Sequence, residues 1–230
     1  RGMMSEYGSN PDSRLGRRLL SEKRRQAASV AGYRPVSLEG ALRQLPGANL
    51  ALVSVPGRYA AREARLALER GLHVMLFSDN VPLEQEIALK RLASEKGLLL
   101  MGPDCGTAII NGKPLCFANV VRRGGIGLVA ASGTGLQEVT CLIDRLGGGV
   151  SQAIGTGGRD LSPQVGGSTV LMGIEALRRD PQTQIIVVLS KPPAPEVARK
   201  VLGRLRECGK PAVVHFIGLR GAAARSGGRD

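Results

Sequence analysis

The sequence predicts an α/β protein of two tandem doubly wound domains with mainly parallel sheets. From residue 49 onward, short apolar runs alternate with segments of helical periodicity. The run "NLALVSVP" precedes "RYAAREARLALERG", and "LHVMLFSDN" precedes "PLEQEIALKRLASEKG". Strands that are apolar on both faces and alternate with helices are typical of a parallel sheet covered on both sides. Gly71 and Gly97, which close the two helical segments, fit helix C-termini.

The alternation of predicted strands and helices is interrupted once. The run "LLLMGPDCG" completes a first series of three strands, and residues 104–124 are rich in turn residues. A second series, of four strands, begins at "GIGLVAAS" and ends at "AVVHFIG". The pattern predicts a first domain at 36–122 and a second at 123–218. A basic segment at 1–35, either poorly ordered or helical, and a basic tail at 219–230 flank them.

The net charge of +13 is unevenly distributed. Residues 1–35 hold eight basic against three acidic side chains, and residues 219–230 hold three against one, so more than half of the excess lies in these two segments. Aromatic residues make up only 3% and Trp is absent, whereas proteins that bind single-stranded nucleic acid need aromatic stacking platforms. The composition therefore argues against nucleic acid and fits a small anionic ligand.

Apolar runs and cysteines indicate the compartment. No run approaches the ~20 apolar residues that a membrane span needs, and the first residues lack the apolar core of a signal peptide. The four cysteines form no CxxC pair and no His lies at metal-ligand spacing, which predicts reduced core cysteines and no metal site. A soluble, cytoplasmic protein is expected. Only Cys105, in the loop "GPDCGT", also leaves a role in a site open.

The segment "ASGTGLQE" turns from a predicted strand into a predicted helix. In doubly wound sheets the ligand binds outside the carboxyl ends of the strands, where this loop lies. Free N–H groups and the helix dipole favour an anion there, and Ser132 and Thr134 can add hydroxyl donors. The same residues can also act only as an N-cap. The segment is neither a Walker A loop nor a GxSxG elbow, since Ala130 stands two residues before Ser132.

A second glycine-rich loop, "GTGGRDLS", follows the next strand. Its spacing differs from the dinucleotide fingerprint, but Gly157 and Gly158 would let a ligand approach the backbone. Arg159 and Asp160 can pair with each other or with the ligand. The two loops, on adjacent strand ends, predict an anionic or acyl group held between them.

No acid–base pair is evident. His73 and His215 both lie within apolar runs and are interpreted as core or strand-end residues. Lys191, in "SKPP", stands at a strand end and is the best placed cation, although it can equally be a solvated loop charge.

Three blocks, "FSDNVPLE", "KGLLLMGPDCGT" and "IGTGGRDLS", carry a family resemblance. In this order they resemble the FdrA family, a branch of the succinyl-CoA synthetase α-subunit and NDP-forming acyl-CoA synthetase superfamily. The resemblance covers residues 36–218 and implies a Rossmann-like CoA-binding domain followed by a flavodoxin-like domain. It also implies a chain that is shortened at both ends relative to the family.

The resemblance further implies the ligand positions. Coenzyme A is expected at loops of the first domain, at Ser54, Val55, Pro56, Arg58, Ser78, Asp79 and Asn80. A phosphate or acyl group is expected in the second domain, at Ser132, Gly133, Thr134, Gly157, Gly158 and Arg159. The resemblance assigns no catalytic residue and leaves the nucleotide open.

Two departures from the superfamily concern its catalytic machinery. Its catalytic His lies in a Gly-His-Ala-Gly-like segment beyond the final strand, where this sequence reads "IGLRGAAARSGGRD" without a His. The acidic residue that supports the His is replaced by Lys191 and two prolines. The nucleotide-activating mechanism of the α-subunit is therefore not expected in this chain, and whether the chain is itself an enzyme stays open.

Three functions remain open on these grounds. The first is an acyl-CoA synthetase-like protein that binds coenzyme A with a small carboxylate or acyl phosphate; if active, it would be an acid–CoA ligase. The second is a subunit of an oxamate carbamoyltransferase in purine and allantoin nitrogen catabolism. The third is a non-catalytic subunit that docks a partner. An oligomer is expected, with a ligase β-subunit-like protein or a carbamoyltransferase subunit as partner.

Overall fold

The computed structural model describes residues 35–218. They divide into one unit up to Pro46 and another from Gly47 onward. The first unit holds a short helix, α1 (Leu38–Gln44), which Ser37 caps by accepting a hydrogen bond from Gly40 N at 3.1 Å. The predictions for the basic segment before Pro35 and for the tail at 219–230 lie outside the described residues.

The first sheet has three parallel strands in the order β1-β2-β3. These are β1 (Leu50–Val53), β2 (His73–Leu76) and β3 (Leu100–Met101). Two helices connect them, α2 (Gly57–Glu69) and α3 (Leu83–Glu95). Each helix starts after an extended proline, Pro56 or Pro82, and ends just before the predicted glycines, Gly71 and Gly97, which have positive φ angles of 78° and 66°.

The second sheet has six strands in the order β5-β4-β7-β6-β8-β9. They are β4 (Thr107–Ile110), β5 (Lys113–Cys116), β6 (Arg123–Ala131), β7 (Val150–Gly155), β8 (Ile185–Ser190) and β9 (Ala212–Phe216). Its helices are α4 (Gly133–Arg145), α5 (Ser168–Arg179) and α6 (Pro195–Glu207). Strands β6 to β9 are parallel to one another. Among the helices of residues 35–218, none has the length and apolar character of a membrane span.

Strands β4 and β5 form a hairpin that the division at 122/123 assigns to the first domain. The hairpin turns at Asn111 and Gly112, both of which have positive φ, as a two-residue hairpin turn requires. Its hydrogen bonds join it to the second sheet instead, because Ala108 and Ile109 of β4 pair antiparallel with β7. The predicted α/β class with mainly parallel sheets is confirmed, and this hairpin is the antiparallel exception within the described range.

Both sheets contribute to one apolar core. Met75 and Met101 from the first sheet belong to the same cluster as Val129, Ile154 and Ile186 from the second, and all five are at most 3% exposed. At about 25 cal/mol per Å² of apolar surface removed from water, such a shared cluster makes separation of the sheets costly. The carboxyl ends of both sets of strands therefore keep fixed positions within the unit that begins at Gly47.

A buried group of charges connects α3 to the second sheet. Lys90, which is 2% exposed, lies 2.5 Å from Asp160 and 3.3 Å from Glu86, and it also donates to the carbonyl of Thr156 at 3.2 Å. Arg159 Nε lies 2.8 Å from the other oxygen of Glu86. The two Glu86 oxygens are held by charge and not by aligned hydrogen bonds. Lys90, Glu86 and Asp160 are buried, and the half-exposed Arg159 supplies the second cation for the two carboxylates.

Asp160 also caps α5 from outside the helix. The residue at the N-cap position, Gly167, has no side chain and has a φ of 78°. The Asp160 carboxylate instead accepts hydrogen bonds from Thr169 N at 3.1 Å and Val170 N at 2.8 Å. A carboxylate at this position satisfies amides that the helix itself cannot pair, and it interacts favourably with the helix dipole.

Replacing Lys90 should be far more damaging than replacing its neighbour. Lys90→Met leaves Asp160 and Glu86 buried beside a single remaining cation, so the free energy of unfolding should fall by about 3–5 kcal/mol. Arg91→Met removes only an exposed ion pair with Glu95, so its cost should stay below about 1 kcal/mol. Urea unfolding of both variants measures the difference. Equal losses in the free energy of unfolding for the two variants would show that the buried cluster contributes no more than the exposed ion pair.

Candidate ligand-binding cleft

A cleft of about 630 Å³ lies at the carboxyl ends of strands from both sheets. The loops after β1, β2 and β3 form one side, and the loops after β6, β7 and β8 form the other. The structure brings ten of the thirteen predicted ligand residues to this cleft: Ser54, Val55, Pro56, Ser78, Asp79, Ser132, Gly133, Thr134, Gly157 and Gly158. Residues predicted for coenzyme A and residues predicted for the anion therefore border one space.

On the first-sheet side, Ser78 holds the loops together. Its buried hydroxyl accepts a hydrogen bond from Val55 N at 3.0 Å and donates one to the carbonyl of Val55 at 2.6 Å. Its own carbonyl accepts from Asp104 N at 3.0 Å. The hydroxyl predicted to contact coenzyme A is therefore engaged by the protein, and Ser78 shapes this side of the cleft.

Three predicted residues are not part of the lining. Arg58 is exposed and lies over the Tyr59 ring, with its guanidinium carbon 4.7 Å from the ring centroid. Asn80 is exposed and has a φ of 53°. Arg159 is held by Glu86 and by a hydrogen bond of 2.7 Å to the carbonyl of Val81. The guanidinium of Arg159 therefore stabilises the glycine-rich loop through these two contacts and does not line the cleft.

The anion-binding corner lies at the start of α4. Ser132 is the N-cap, and its hydroxyl oxygen accepts from Gly135 N at 3.3 Å, as the N-cap interpretation predicts. The amides of Gly133 and Thr134 precede the first intrahelical hydrogen bond, so the helix offers them no acceptor. Both residues are exposed and line the cleft. The corner thus presents two N–H donors and the positive end of the helix dipole.

The charged side chains of the cleft are divided between its two sides. Lys191, exposed at the end of β8, lines the second-sheet side near α4. Asp79 and Asp104 line the first-sheet side, and both are exposed. Negative groups of a ligand are therefore favoured at α4 and Lys191, while its hydroxyl and amino groups are favoured beside the two carboxylates.

Sequence reasoning missed Gln137 and Thr107. Gln137 is half-buried, and its amide nitrogen donates to the Thr107 hydroxyl at 3.1 Å and to the carbonyl of Phe117 at 3.0 Å. Gln137 follows Gly133 by four residues, so both lie on one face of α4, a spacing that could have pointed to it. Thr107 gives no such signal, because its position depends on the pairing of β4 with the second sheet.

Aromatic rings form part of the wall. Phe77 and Phe117 meet edge to face, with ring centroids 5.2 Å apart and an interplanar angle of 72°. Gly106 lies under them, where an added Cβ would approach the Phe117 ring to 3.2 Å. This section of the cleft offers an apolar surface between its two polar sides.

Cys105 lines the cleft but is not an activated thiol. Burial raises the pKa of its thiol to about 12, a shift that its contact with the Thr107 carbonyl only partly opposes. The thiolate is the nucleophilic form, so the protonated thiol is unreactive near neutral pH. All four cysteines are unpaired.

The histidines and the acidic residues give no further site. His73 begins β2, at the opposite end of the strand from the cleft, and its Nδ1 accepts from Leu99 N at 2.9 Å. His215 is exposed on β9. Within residues 35–218, no group of three or more His, Cys, Asp or Glu side chains converges as metal ligands do.

The fold and the cleft define an α/β protein with a ligand site at the carboxyl ends of its strands, and sequence comparison narrows the class. Residues 122–218 match the family model of the CoA binding domain. The Escherichia coli K12 protein YahF is 59% identical over 199 residues, which are 86% of this chain and 38% of YahF. The α-subunit of the ADP-forming succinate–CoA ligase of Aquifex aeolicus is 28% identical over 75% of this chain and 57% of that subunit. The chain is thus homologous to the α-subunits of succinate–CoA ligases, and it spans less than two thirds of these relatives.

Solved structures agree on the fold. ATP citrate lyase from Methanothrix soehngenii, in complex with citrate and coenzyme A, has a TM-score of 0.69 at 22% identity over 83% of this chain and 33% of that one. Acetyl-coenzyme A synthetase 1 from Ca. Korarchaeum cryptofilum, in complex with phosphate and ADP, has a TM-score of 0.59 at 18% identity, over 74% of this chain and 38% of that one.

The matched family segment covers the second half of the molecule. Residues 122–218 comprise β6 to β9 with α4 to α6, whereas the predicted coenzyme A residues lie on loops of the first sheet. Loops of both sheets line the same cleft.

The protonated state of Cys105 should make stability depend on alkaline pH. The folded chain keeps this proton up to a pKa of about 12, whereas the unfolded chain releases it near 9, the ordinary value. Between these values the free energy of unfolding falls by up to about 1.4 kcal/mol per pH unit. This contribution to stability is therefore complete below pH ~9 and is lost as the pH rises. Cys105→Ala should remove it. Urea unfolding from pH 8 to 10 should show a steeper fall for the wild type, and parallel curves would contradict the burial of this thiol.

Proposed function

We propose that the cleft binds coenzyme A together with a small carboxylate or acyl phosphate, and that the chain is an α-subunit-like component of an acid–CoA ligase of the FdrA type. The observation that carries this proposal is that ten of the thirteen predicted ligand residues, on loops of both sheets, line the same cleft. The match of residues 122–218 to the CoA binding domain supports it.

The charges of the cleft indicate how such a ligand would be oriented. Asp79 and Asp104 would repel phosphate groups but can accept hydrogen bonds from ribose hydroxyls or an adenine amino group. The first-sheet side therefore fits the nucleoside part. The amides of Gly133 and Thr134, with Lys191, fit the group that carries negative charge at the reacting end.

The chain supplies binding groups in the cleft and leaves the transfer chemistry to another component. The ionisable side chains in the lining are Asp79, Asp104, Cys105 and Lys191, and no histidine of residues 35–218 is among them. The thiol of Cys105 is protonated, and no residue forms an acid–base pair there. We therefore propose a partner of the ligase β-subunit kind. A carbamoyltransferase subunit is the second proposal, since the corner at α4 would hold carbamoyl phosphate without any coenzyme A.

Coenzyme A binding can be tested with a variant that narrows the cleft and leaves the fold unchanged. Gly158 lines the cleft, its φ is not positive, and an added Cβ would meet nothing within 4 Å. Gly158→Leu should therefore fold normally and weaken coenzyme A binding by about tenfold or more, the effect of forcing extra methylene groups into an occupied space. Isothermal titration of the purified chain at low salt measures it.

The matched control is Gly203→Leu. Gly203 belongs to α6, and a Cβ there also has open space, but the residue does not line the cleft. Its affinity for coenzyme A should equal that of the wild type. Absence of coenzyme A binding by the wild type would overturn the ligase-like proposal, and binding of carbamoyl phosphate in its place would favour the transferase. Neither ligand binding would favour a docking subunit.

The anion corner can be tested by deleting one amide. Gly133 is the first residue of α4, where proline is well tolerated, and Ser132 before it is already extended, with a φ of −151° and a ψ of 106°. Gly133→Pro should keep the helix but remove one N–H donor from the corner. We expect inorganic phosphate to bind about tenfold more weakly, because a hydrogen bond to a charged group contributes about 1.5–3 kcal/mol.

Gly133→Ala serves as the comparison for that variant. It retains the N–H group, and its Cβ would lie an ordinary 3.8 Å from the Thr107 hydroxyl oxygen. Phosphate affinity should stay within about twofold of the wild type, because no donor is lost. If both variants bind phosphate as the wild type does, α4 is not the anion site.

A further inference from the structure

The side-chain amide of Gln137 has a fixed orientation. The carbonyl of Phe117 can only accept a hydrogen bond, so the group facing it must be the amide nitrogen. The same nitrogen donates to the Thr107 hydroxyl. Both hydrogens of the NH₂ group are thereby used, and the carbonyl oxygen, Oε1, is the part of Gln137 left for a ligand. It has no hydrogen-bond donor among residues 35–218.

The Thr107 hydroxyl provides the complementary group. Thr107 is 3% exposed and lines the cleft, and its oxygen lies 3.8 Å from the Cβ position of Gly133, the first residue of α4. Its oxygen accepts from Gln137, but its own hydrogen has no acceptor within the described part of the chain. A buried hydroxyl hydrogen needs an acceptor, and because Thr107 lines the cleft, that acceptor can be supplied from the cleft, by water or by a ligand.

These groups define a donor–acceptor pattern next to the anion corner. The amides of Gly133 and Thr134 and the hydroxyl of Thr107 donate, and Oε1 of Gln137 accepts. We propose that the small ligand at α4 carries a hydrogen-bond donor, a hydroxyl or an amide N–H, adjacent to its anionic oxygens, and that Gln137 selects for this donor. This inference rests on the proposed anion site and adds the substrate class, since a plain aliphatic carboxylate would leave Oε1 facing carbon.

Two pairs of small acids test the inference. Lactate and propionate differ by a hydroxyl, and oxamate and pyruvate differ by an amide NH₂ in place of a methyl group. The amide signals of Gly133 and Thr134 in the full chain report binding at the corner by NMR titration. In the wild type we expect the donor-bearing member of at least one pair to bind about tenfold more tightly, because the other member leaves an acceptor unpaired. The pair that shows this difference in affinity indicates whether the ligand's donor is a hydroxyl or an amide N–H.

Variants assign the selectivity to Gln137. Gln137→Met keeps the length and helix propensity of the side chain but removes its carbonyl, so the ratio within each pair should fall to about one. Glu138→Gln alters the next residue, an exposed side chain paired with Arg145, and should leave the ratios unchanged.

The outcomes separate this inference from the function on which it rests. Phosphate binding with equal affinities inside both pairs would overturn the inference and leave the anion site standing. A preference that survives Gln137→Met would assign the selectivity to another residue. Absence of phosphate binding would overturn the anion site, and the selectivity with it. The wild-type comparison needs no variant, so the test holds even if Gln137→Met fails to fold.

Discussion

The ammonium group of Lys90 connects helix α3, beside the first sheet, to the second sheet. It extends from α3, beside the first sheet, to Asp160 and to the carbonyl of Thr156, both on the loop after β7. Asp160 in turn caps α5. A buried lysine must keep its partners, because an unpaired charge in a region without water is far too costly. A shift of α3 would therefore displace the glycine-rich loop and uncap a helix.

This dependence explains how a loop of glycines can form one side of a ligand site. Gly157 has a φ of 85°, and a Cβ there would come within 2.2 Å of the Pro103 carbonyl, so the backbone is both unusual in conformation and closely packed. A loop with so little side-chain bulk cannot fix itself by apolar packing. The hydrogen bond from Lys90 to Thr156, one residue earlier, anchors it instead. Arg159 adds to this support through its ion pair with Glu86, and it does not line the cleft.

The sequence predicts features that depend on neighbours along the chain and misses those that depend on distant pairing. Alternating strands and helices, the cap at Ser132 and the closing glycines at 71 and 97 are local, and all were predictable. The sequence also predicts that Arg159 pairs with Asp160 or with a ligand. In the structure Arg159 forms an ion pair with Glu86, which is distant along the chain. The Asn111–Gly112 hairpin has a local turn signal, but nothing local tells which sheet it joins. Thr107 and its hydrogen bond with Gln137 became visible only through that pairing.

The cleft is better equipped to hold a ligand than to transform one. Its donors are backbone amides and hydroxyls in fixed positions, which cost no reorganisation when an anion binds, and a protonated thiol and two exposed carboxylates offer no matched acid and base. The proposed selectivity rests on Gln137 and Thr107, which would present one acceptor and one donor beside the helix N-terminus. In the proposed function, such a site would select the small anion and set its orientation. Under the proposed function, the reacting group would therefore come from outside this set of residues.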